Sequence, residues 1–293
     1  MTEHVHHHHQ INEKSVKLLV WSFAINMILS IAEIIGGIVS GSVALVGDAL
    51  HNTSDALSIL IAIIAFKIGN KKASAKYTYG FKRAEVIGGF VNLILLFLSG
   101  SYLLIEGIGR IIKPEQIEAM MIVWISVWAL LVDVFTAKIS HHGAHHNSNM
   151  KMVFVHNLAD VFGSVGVIFS GFCVMWFGIY AIDGVIAVLI AIYMIVQSVI
   201  TFPKIVNILM DATPDDINVD EVKKCILKIN DVKDVYHIHL WNISEHNVAM
   251  ECHVVSDDET VAQKIARKMK KHFKINHCNV QVEKNYCGEI CNL

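Results

Sequence analysis

Asp48-Ala49-Leu50-His51-Asn52-Thr53-Ser54-Asp55 places three ionisable side chains inside a long apolar run. Residues three and four apart share a helix face, so Asp48, His51 and Asp55 line one stripe about two turns long. If that run lies in a bilayer the stripe is costly, because a charged residue near the bilayer centre costs ~2.5 to 3.5 kcal/mol even on lenient insertion scales. The default reading is a site for an ion or a proton.

The totals favour a bilayer. Of 293 residues 54% are hydrophobic and only 17% are charged, with a mean hydropathy of +0.50, whereas an ordinary soluble domain is about a quarter charged. The charges are also uneven: residues 16–201 are mostly long apolar runs, and from Lys204 onward the chain is mixed and charged. A formal net charge of -2 lacks the basic footprint of a nucleic-acid binder, so no nucleic-acid partner is expected. The N-terminus has no cleavable signal pattern, and the first span is expected to stay as an anchor.

Six runs, near 16–39, 43–67, 84–109, 119–139, 152–176 and 179–202, are each long enough for a hydrocarbon core that takes about 20 helical residues. An even number leaves both termini on one side. The link between the second and third runs holds Lys67, Lys71, Lys72, Lys76, Lys82 and Arg83, while links 40–42 and 177–178 hold no basic residue. The positive-inside rule therefore predicts that both termini are cytoplasmic. Residues 1–15 carry His4, His6, His7, His8 and His9, either a metal-collecting tail or a tag remnant; the run is short for a tag, which favours the first. The link between the fourth and fifth runs holds His141, His142, His145 and His146, to be read as weak metal capture or as a plain solvated loop.

Beyond Pro203 and Pro214 comes a domain of about 80 residues. Its pattern predicts helix 216–229, strands 234–242 and 247–255, helix 258–272 and strand 277–284, an open α+β sandwich. Strict alternation would send Tyr236, Ile238 and Leu240 to one face and His237, His239 and Trp241 to the other. The expected fold is an α-helical membrane protein with six transmembrane helices (16–204), preceded by the His-rich tail 1–15 and followed by a C-terminal cytoplasmic αββαβ domain (205–293). Cys173 lies in an apolar run, and Cys225, Cys252, Cys278, Cys287 and Cys291 lie in the tail. In a cytoplasmic domain they are expected as free thiols or metal ligands rather than disulfides.

One motif occurs twice. His51-Asn52-Thr53-Ser54-Asp55 in the second span and His156-Asn157-Leu158-Ala159-Asp160 in the fifth both read His-Asn-x-x-Asp. A single pair could be a satisfied polar contact, but two identical spacings in two spans make that bland account weak. The two spans run in opposite directions, so the His-over-Asp order inverts and all four groups can converge at one depth. Two imidazoles and two carboxylates form an N2O2 set suited to tetrahedral Zn2+, with bonds of ~2.0 to 2.2 Å. Two carboxylates also balance a divalent charge. The imidazoles favour Zn2+ over Mg2+ or Mn2+, with Cd2+, Co2+ or Ni2+ as possible guests. Histidine must be neutral to bind metal, so proton entry competes with Zn2+ and suggests metal/proton antiport.

With Ser42-Val43-Ala44-Leu45 through Asp55, Tyr77-Thr78-Tyr79-Gly80-Phe81-Lys82-Arg83-Ala84-Glu85, the His156/Asp160 pair and His239-Leu240-Trp241, the chain resembles the cation diffusion facilitator family of zinc transporters over nearly its whole length. The resemblance implies a homodimer of six-span protomers in the lipid bilayer that exports Zn2+ in exchange for protons by alternating access. It implies a transport site of His51, Asp55, His156 and Asp160, and a ferredoxin-like or metallochaperone-like tail that dimerises and binds zinc. In that tail His239, His253 and Glu283 match the family's ligand strands, and Cys287 and Cys291 stand where relatives carry a terminal cysteine pair. Here three residues separate the two cysteines, so a shared metal needs a helical turn or a flexible loop. Some relatives hold another metal in the link between spans two and three; from Asn70 to Arg83 this chain has no histidine or acidic residue there, and that site is not carried over.

Other polar residues fit a supporting role. Asp48 is a further ligand or lines the exit path, the second being expected, and Glu33 and Asp133 are proton relays or partners for neighbours such as Asn26 or Asn92, with hydrogen bonding expected over direct ligation. Asp183 is expected to be hydrated at the outer end of span six, and Arg83 and Glu85 to be a solvated pair or an inner-gate pair. His237 shares a face with His239 and Glu251 with His253, so a metal between these strands is credible, although exposed sheet faces often carry such residues with no ligand; the resemblance does not raise His237, His277 or Cys278 to ligands. The rival class is a membrane metalloenzyme or a haem-binding electron carrier using His51 and His156. No His-Glu-x-x-His is present, and axial haem histidines would not need an aspartate one turn away, so the protein is not expected to be an enzyme. Short length and sparse loops suggest a bacterial plasma membrane.

Overall fold

The computed structural model describes residues 13–69, 71, 73–144, 148–244 and 247–286. Six long helices come first: α1 (Glu13–Ser40), α2 (Val43–Gly69), α3 (Ala84–Ile112), α4 (Ala119–Ala144), α5 (Ser148–Phe177) and α6 (Ala181–Leu209). Each covers one of the six apolar runs. Most overrun them by a turn or so, since backbone hydrogen bonding continues past the last apolar side chain. Five of the six contain a stretch long and apolar enough to cross a membrane; α2 is the exception. Its 27 residues match the others in length, and its polarity comes from the Asp48–Asp55 stretch.

The helices leave large apolar side chains uncovered. Ile28, Ile35, Trp124, Trp128, Phe162, Phe169 and Trp176 are all exposed. Apolar area of this extent is untenable in water and is the surface that lipid covers, so the protein is an integral membrane protein. Facing inward, Leu45, Leu103, Ile122, Val167, Ala187, Ala191 and Met194 build a core shared by α2 to α6. Close approach decides part of that packing. A Cβ on Gly184 would come within 2.7 Å of the Gly107 carbonyl oxygen, so α3 and α6 meet there only because glycine stands on both sides.

Asp183 corrects an expectation. It is 1% exposed, not hydrated, and its carboxylate closes the start of α2. Ser42 Oγ donates to Oδ1 at 2.5 Å, while the Val43 and Ala44 amides donate to Oδ2 at 2.7 and 3.2 Å. The Leu45 amide donates to Ser42 Oγ at 3.1 Å and the Val46 amide to the Ser42 carbonyl at 3.3 Å. All four amides of the first turn are thereby satisfied away from the surface, and the carboxylate sits at the positive end of the helix. A residue 140 positions away supplies the cap, which local sequence could not reveal.

The chain divides into two compact units, one of Met1–Ile63 with Val91–Thr201, the other of Ile64–Phe90 with Phe202–Leu293. Within the second unit, Arg83 forms an ion pair with Asp211 just past α6 rather than with Glu85. The tail follows as α7 (Val219–Leu227), β1 (Asp234–Ser244), β2 (Asn247–Val255), α8 (Val261–Phe273) and β3 (Ile275–Glu283). The sheet order is β1-β2-β3, with β1 antiparallel and β3 parallel to β2. Val222 and Ile226 of α7 and Val261, Ile265 and Met269 of α8 recur at helical spacing and bury against Val235, Leu240, Met250, Cys252 and Val254. Asn218 caps α7 by accepting from the Asp220 amide at 2.8 Å. Asp258 leads into α8, its carboxylate held down at about 2 by Lys264 and Thr260.

Because Asp183 accepts three buried hydrogen bonds, each worth roughly 1.5–3 kcal/mol to a charged group, Asp183→Ala is expected to destabilise the protein by about 3 kcal/mol or more. A clearly lowered thermal-unfolding midpoint in detergent is the measurement, with Asp183→Asn falling between variant and parent.

Candidate metal centre

α2 carries His51 and Asp55 one turn apart, and α5 carries His156 and Asp160 in the same arrangement. One ligand atom from each can be chosen so that all four lie within 4.8 Å of one another. The pairing is crossed: His51 Nε2 is 3.1 Å from Asp160 Oδ1, and His156 Nε2 is 3.2 Å from Asp55 Oδ2. Within each helix the separations are 3.6 Å for His51–Asp55 and 3.9 Å for His156–Asp160. Crossing is what the antiparallel directions of the two helices require. A tetrahedron with bonds near 2.1 Å has edges of about 3.4 Å, and these four separations bracket that length. The imidazole rings stand at 70° with centroids 5.7 Å apart. His51 and Asp160 are 6% and 12% exposed, Asp55 and His156 30% and 32%, so one edge of the set is more open than the other.

A second layer of polar groups holds these helices in register. Ser164 Oγ lies 2.7 Å from Asp133 Oδ2 and 3.3 Å from Asp48 Oδ2, joining α5 to α4 and α2. Gly163 makes room for it, since a Cβ there would lie 3.2 Å from Asp48 Oδ1. Asn52 Nδ2 donates to Glu33 Oε2 at 3.0 Å, tying α2 to α1. Asn92 on α3 accepts from Ser54 Oγ at 3.4 Å and donates to Ser58 Oγ at 2.8 Å. Asp48, His51, Asp160 and Tyr193 line a cavity of about 300 Å³ that is otherwise apolar. Tyr193 on α6 sets its ring edge-on to His51 at 5.3 Å. Tyr193 and Ser164 were not legible in the sequence, where the only signal was a polar atom in an apolar helix with no repeat to single it out; Asn52 stands in the repeated His-Asn-x-x-Asp, but its partner Glu33 was not legible.

In the tail, the expected strand alternation fails at one point. Tyr236 pairs with His253 and His239 with Glu251, so β1 advances three residues while β2 advances two. The extra residue is a bulge at His237, whose φ of 50° lies in the left-handed region. The bulge shifts parity and brings Tyr236 onto the face of His239, Glu251 and His253. His237 reaches the same cluster, with its Nε2 3.2 Å from His239 Nε2 and its ring centroid 4.8 Å from that of His253. His253 Nδ1 is 3.1 Å from Glu283 Oε1, and the Tyr236 hydroxyl donates to Glu283. That bond, with help from Gln281 and His253, holds the Glu283 carboxyl below its usual range. His253 and Glu283 therefore come together, while His239 turns to His237. Cys287, Cys291, His4, His6, His7, His8, His9, His145 and His146 lie outside the described residues, as do the side chains of His141 and His142. Cys173, Cys225, Cys252 and Cys278 are free thiols. Burial pushes Cys252 up to about 12 and Cys278 up to about 11, which disfavours the thiolate a metal would need.

Residues 19–210 match the model of the cation efflux transmembrane domain, and residues 214–285 that of the cation efflux protein cytoplasmic domain. The chain belongs to the cation efflux family. It is 30% identical to the metal cation efflux system protein CzcD of Cupriavidus metallidurans, over 98% of this chain and 91% of that one. It is 27% identical to the zinc transporter ZitB of Pectobacterium atrosepticum, over 97% and 90%. It is 30% identical to the cadmium, cobalt and zinc/H(+)-K(+) antiporter of Bacillus subtilis, over 95% and 91%. The match runs through both the membrane helices and the tail, as the resemblance to cation diffusion facilitators implies.

For this cation efflux protein, Cys252 is expected to resist maleimide in the folded tail and to react fully in denaturant, with the half-buried Cys278 reacting faster than Cys252 in the folded state. Mass spectrometry of labelled peptides reads the difference, and modification of Cys252 at the native rate of an exposed thiol would contradict the burial described.

Proposed function

We propose that the protein is a secondary active transporter that exports Zn2+ from the cytoplasm in exchange for protons, by alternating access around His51, Asp55, His156 and Asp160. The observation that carries this reading is the crossed N2O2 set with N–O separations of 3.1 to 3.9 Å, which surround the edge length of tetrahedral Zn2+ coordination. Two carboxylates offset the cargo's charge in a low-dielectric place. Cd2+, Co2+ and Ni2+ accept the same donors, and relatives named for cadmium, cobalt and zinc support that range.

The crossed pairs also supply the exchange. Each imidazole faces an aspartate of the other helix, so a proton on that histidine is held by the carboxylate once metal leaves, and metal can return only when the proton has left. Zinc affinity therefore falls as pH falls. The more exposed Asp55 and His156 form the edge through which an ion enters. The relative named as a zinc/H(+)-K(+) antiporter supports protons as counter-ion.

The tail is read as the dimerising and zinc-sensing part of a homodimer, with His253 and Glu283 at the centre of its site and His239, Cys287 and Cys291 as further ligands. Both termini face the cytoplasm of a bacterial inner membrane. The haem alternative is less well supported, because Asp55 and Asp160 occupy the space between the two imidazoles that a porphyrin plane would need.

In proteoliposomes or inverted vesicles, Asp160→Ala is expected to abolish zinc uptake, with a loss of at least about a hundredfold in zinc affinity by titration. Wild-type uptake by this variant, or uptake indifferent to an imposed pH gradient in the parent, would sink the proposal. In the tail, His253→Ala is expected to remove one zinc equivalent per protomer from a titration of the full chain while leaving the Asp160-dependent equivalent in place.

A further inference from the structure

The link between α2 and α3 is basic without compensation: from Asn70 to Arg83 it holds lysines and an arginine but no acidic residue. Arg83 finds its carboxylate in Asp211. Lys71 and Lys82 form no ion pair among the described residues. Both line a cavity of about 540 Å³ with Tyr79 of the link and with Asn247, Asn276 and His277 of the tail. Among the described residues no carboxylate lines it. Tyr79 sets its ring edge-on to His277 at 5.4 Å, which holds one wall of the link against β3.

We propose that this cavity binds the phosphate of an anionic phospholipid headgroup, with Lys71 and Lys82 as the charge partners and Tyr79, Asn247, Asn276 and His277 as hydrogen-bonding neighbours. Two lysines lining one polar hollow with no carboxylate among its described lining residues favour an anion, and the lysine ammonium is a common phosphate partner. The position selects the source. Lys71 follows the end of α2 at Gly69 by two residues, and Lys82 precedes α3 at Ala84 by two, so both stand at the boundary where membrane helices leave lipid. Anionic lipids concentrate negative charge in that layer, and each lysine near it contributes about a fivefold gain in binding. Tyr77 and Tyr79 are 43% and 50% exposed, the amphipathic ring type that settles at headgroup level. A lipid held here would join the α2–α3 link to the tail, so lipid composition would tune the protein's activity.

The test uses the full chain, purified and reconstituted in nanodiscs of phosphatidylcholine alone or with phosphatidylglycerol, followed by native mass spectrometry of retained lipid. The parent is expected to keep phosphatidylglycerol over phosphatidylcholine, with Lys71→Ala/Lys82→Ala lowering that preference by roughly tenfold or more. Lys76→Ala, whose ammonium lies over the Tyr77 ring 5.6 Å from its centroid and outside the cavity, is expected to lower the preference by no more than the roughly fivefold of a lysine near the headgroup layer, well short of the double variant. Equal retention of both lipids, or a double variant that keeps the preference, would overturn the proposal. So would displacement of phosphatidylglycerol by millimolar inorganic phosphate, which would mark a soluble anion as the ligand.

Discussion

Four ionisable side chains share one small volume in a part of the chain surrounded by apolar surface, and each is tolerable there only because of the other three. His51 and His156 each face a carboxylate of the opposite helix, and each carboxylate faces two imidazoles. Removing one member would leave an uncompensated group in a largely buried site, the situation that makes broken buried pairs so costly. The rest of the membrane part can be understood as keeping α2 and α5 at the register this requires. Asp183 closes the start of α2, Ser164 joins α5 to Asp133 and Asp48, and Asn52 and Asn92 tie α2 to α1 and α3.

These supports are polar, not apolar, for a physical reason. Lipid tails are as apolar as leucine, so apolar packing between membrane helices has little solvent-driven preference for one register over another. Hydrogen bonds between helices and close glycine contacts do discriminate. Gly184 against Gly107 works in this way, permitting an approach that any side chain would block, and Gly163 beside Asp48 permits a contact that a Cβ would tighten to 3.2 Å.

In the tail the same donor types are arranged by a different device. A single extra residue at His237 changes which side chains of β1 face β2, and so gathers Tyr236, His237, His239, His253 and Glu283 on one face of the sheet. The opposite face carries Val235, Leu240, Met250, Cys252 and Val254 into the core under α7 and α8. Metal-type donors and core are thus separated by sheet face, while the buried Cys252 and the half-buried Cys278 stay on the core side.

Hydropathy, spacing and the repeated His-Asn-x-x-Asp determined the six helices, the α+β tail and the four residues His51, Asp55, His156 and Asp160, because these are periodic or local features that composition encodes directly. The convergence of α2 and α5 was also legible, since opposite directions and equal spacing leave few other ways to shelter the charge. Only the tertiary structure decided that Asp183 is a buried cap rather than a hydrated residue, that Asn52 meets Glu33, and that Tyr193 lies against His51. It alone decided the bulge at His237, which overturned the alternation expected for β1. Each of these depends on which distant residue arrives at a given backbone or ring, or on one unpaired residue in a strand, and neither leaves a periodic mark in the chain.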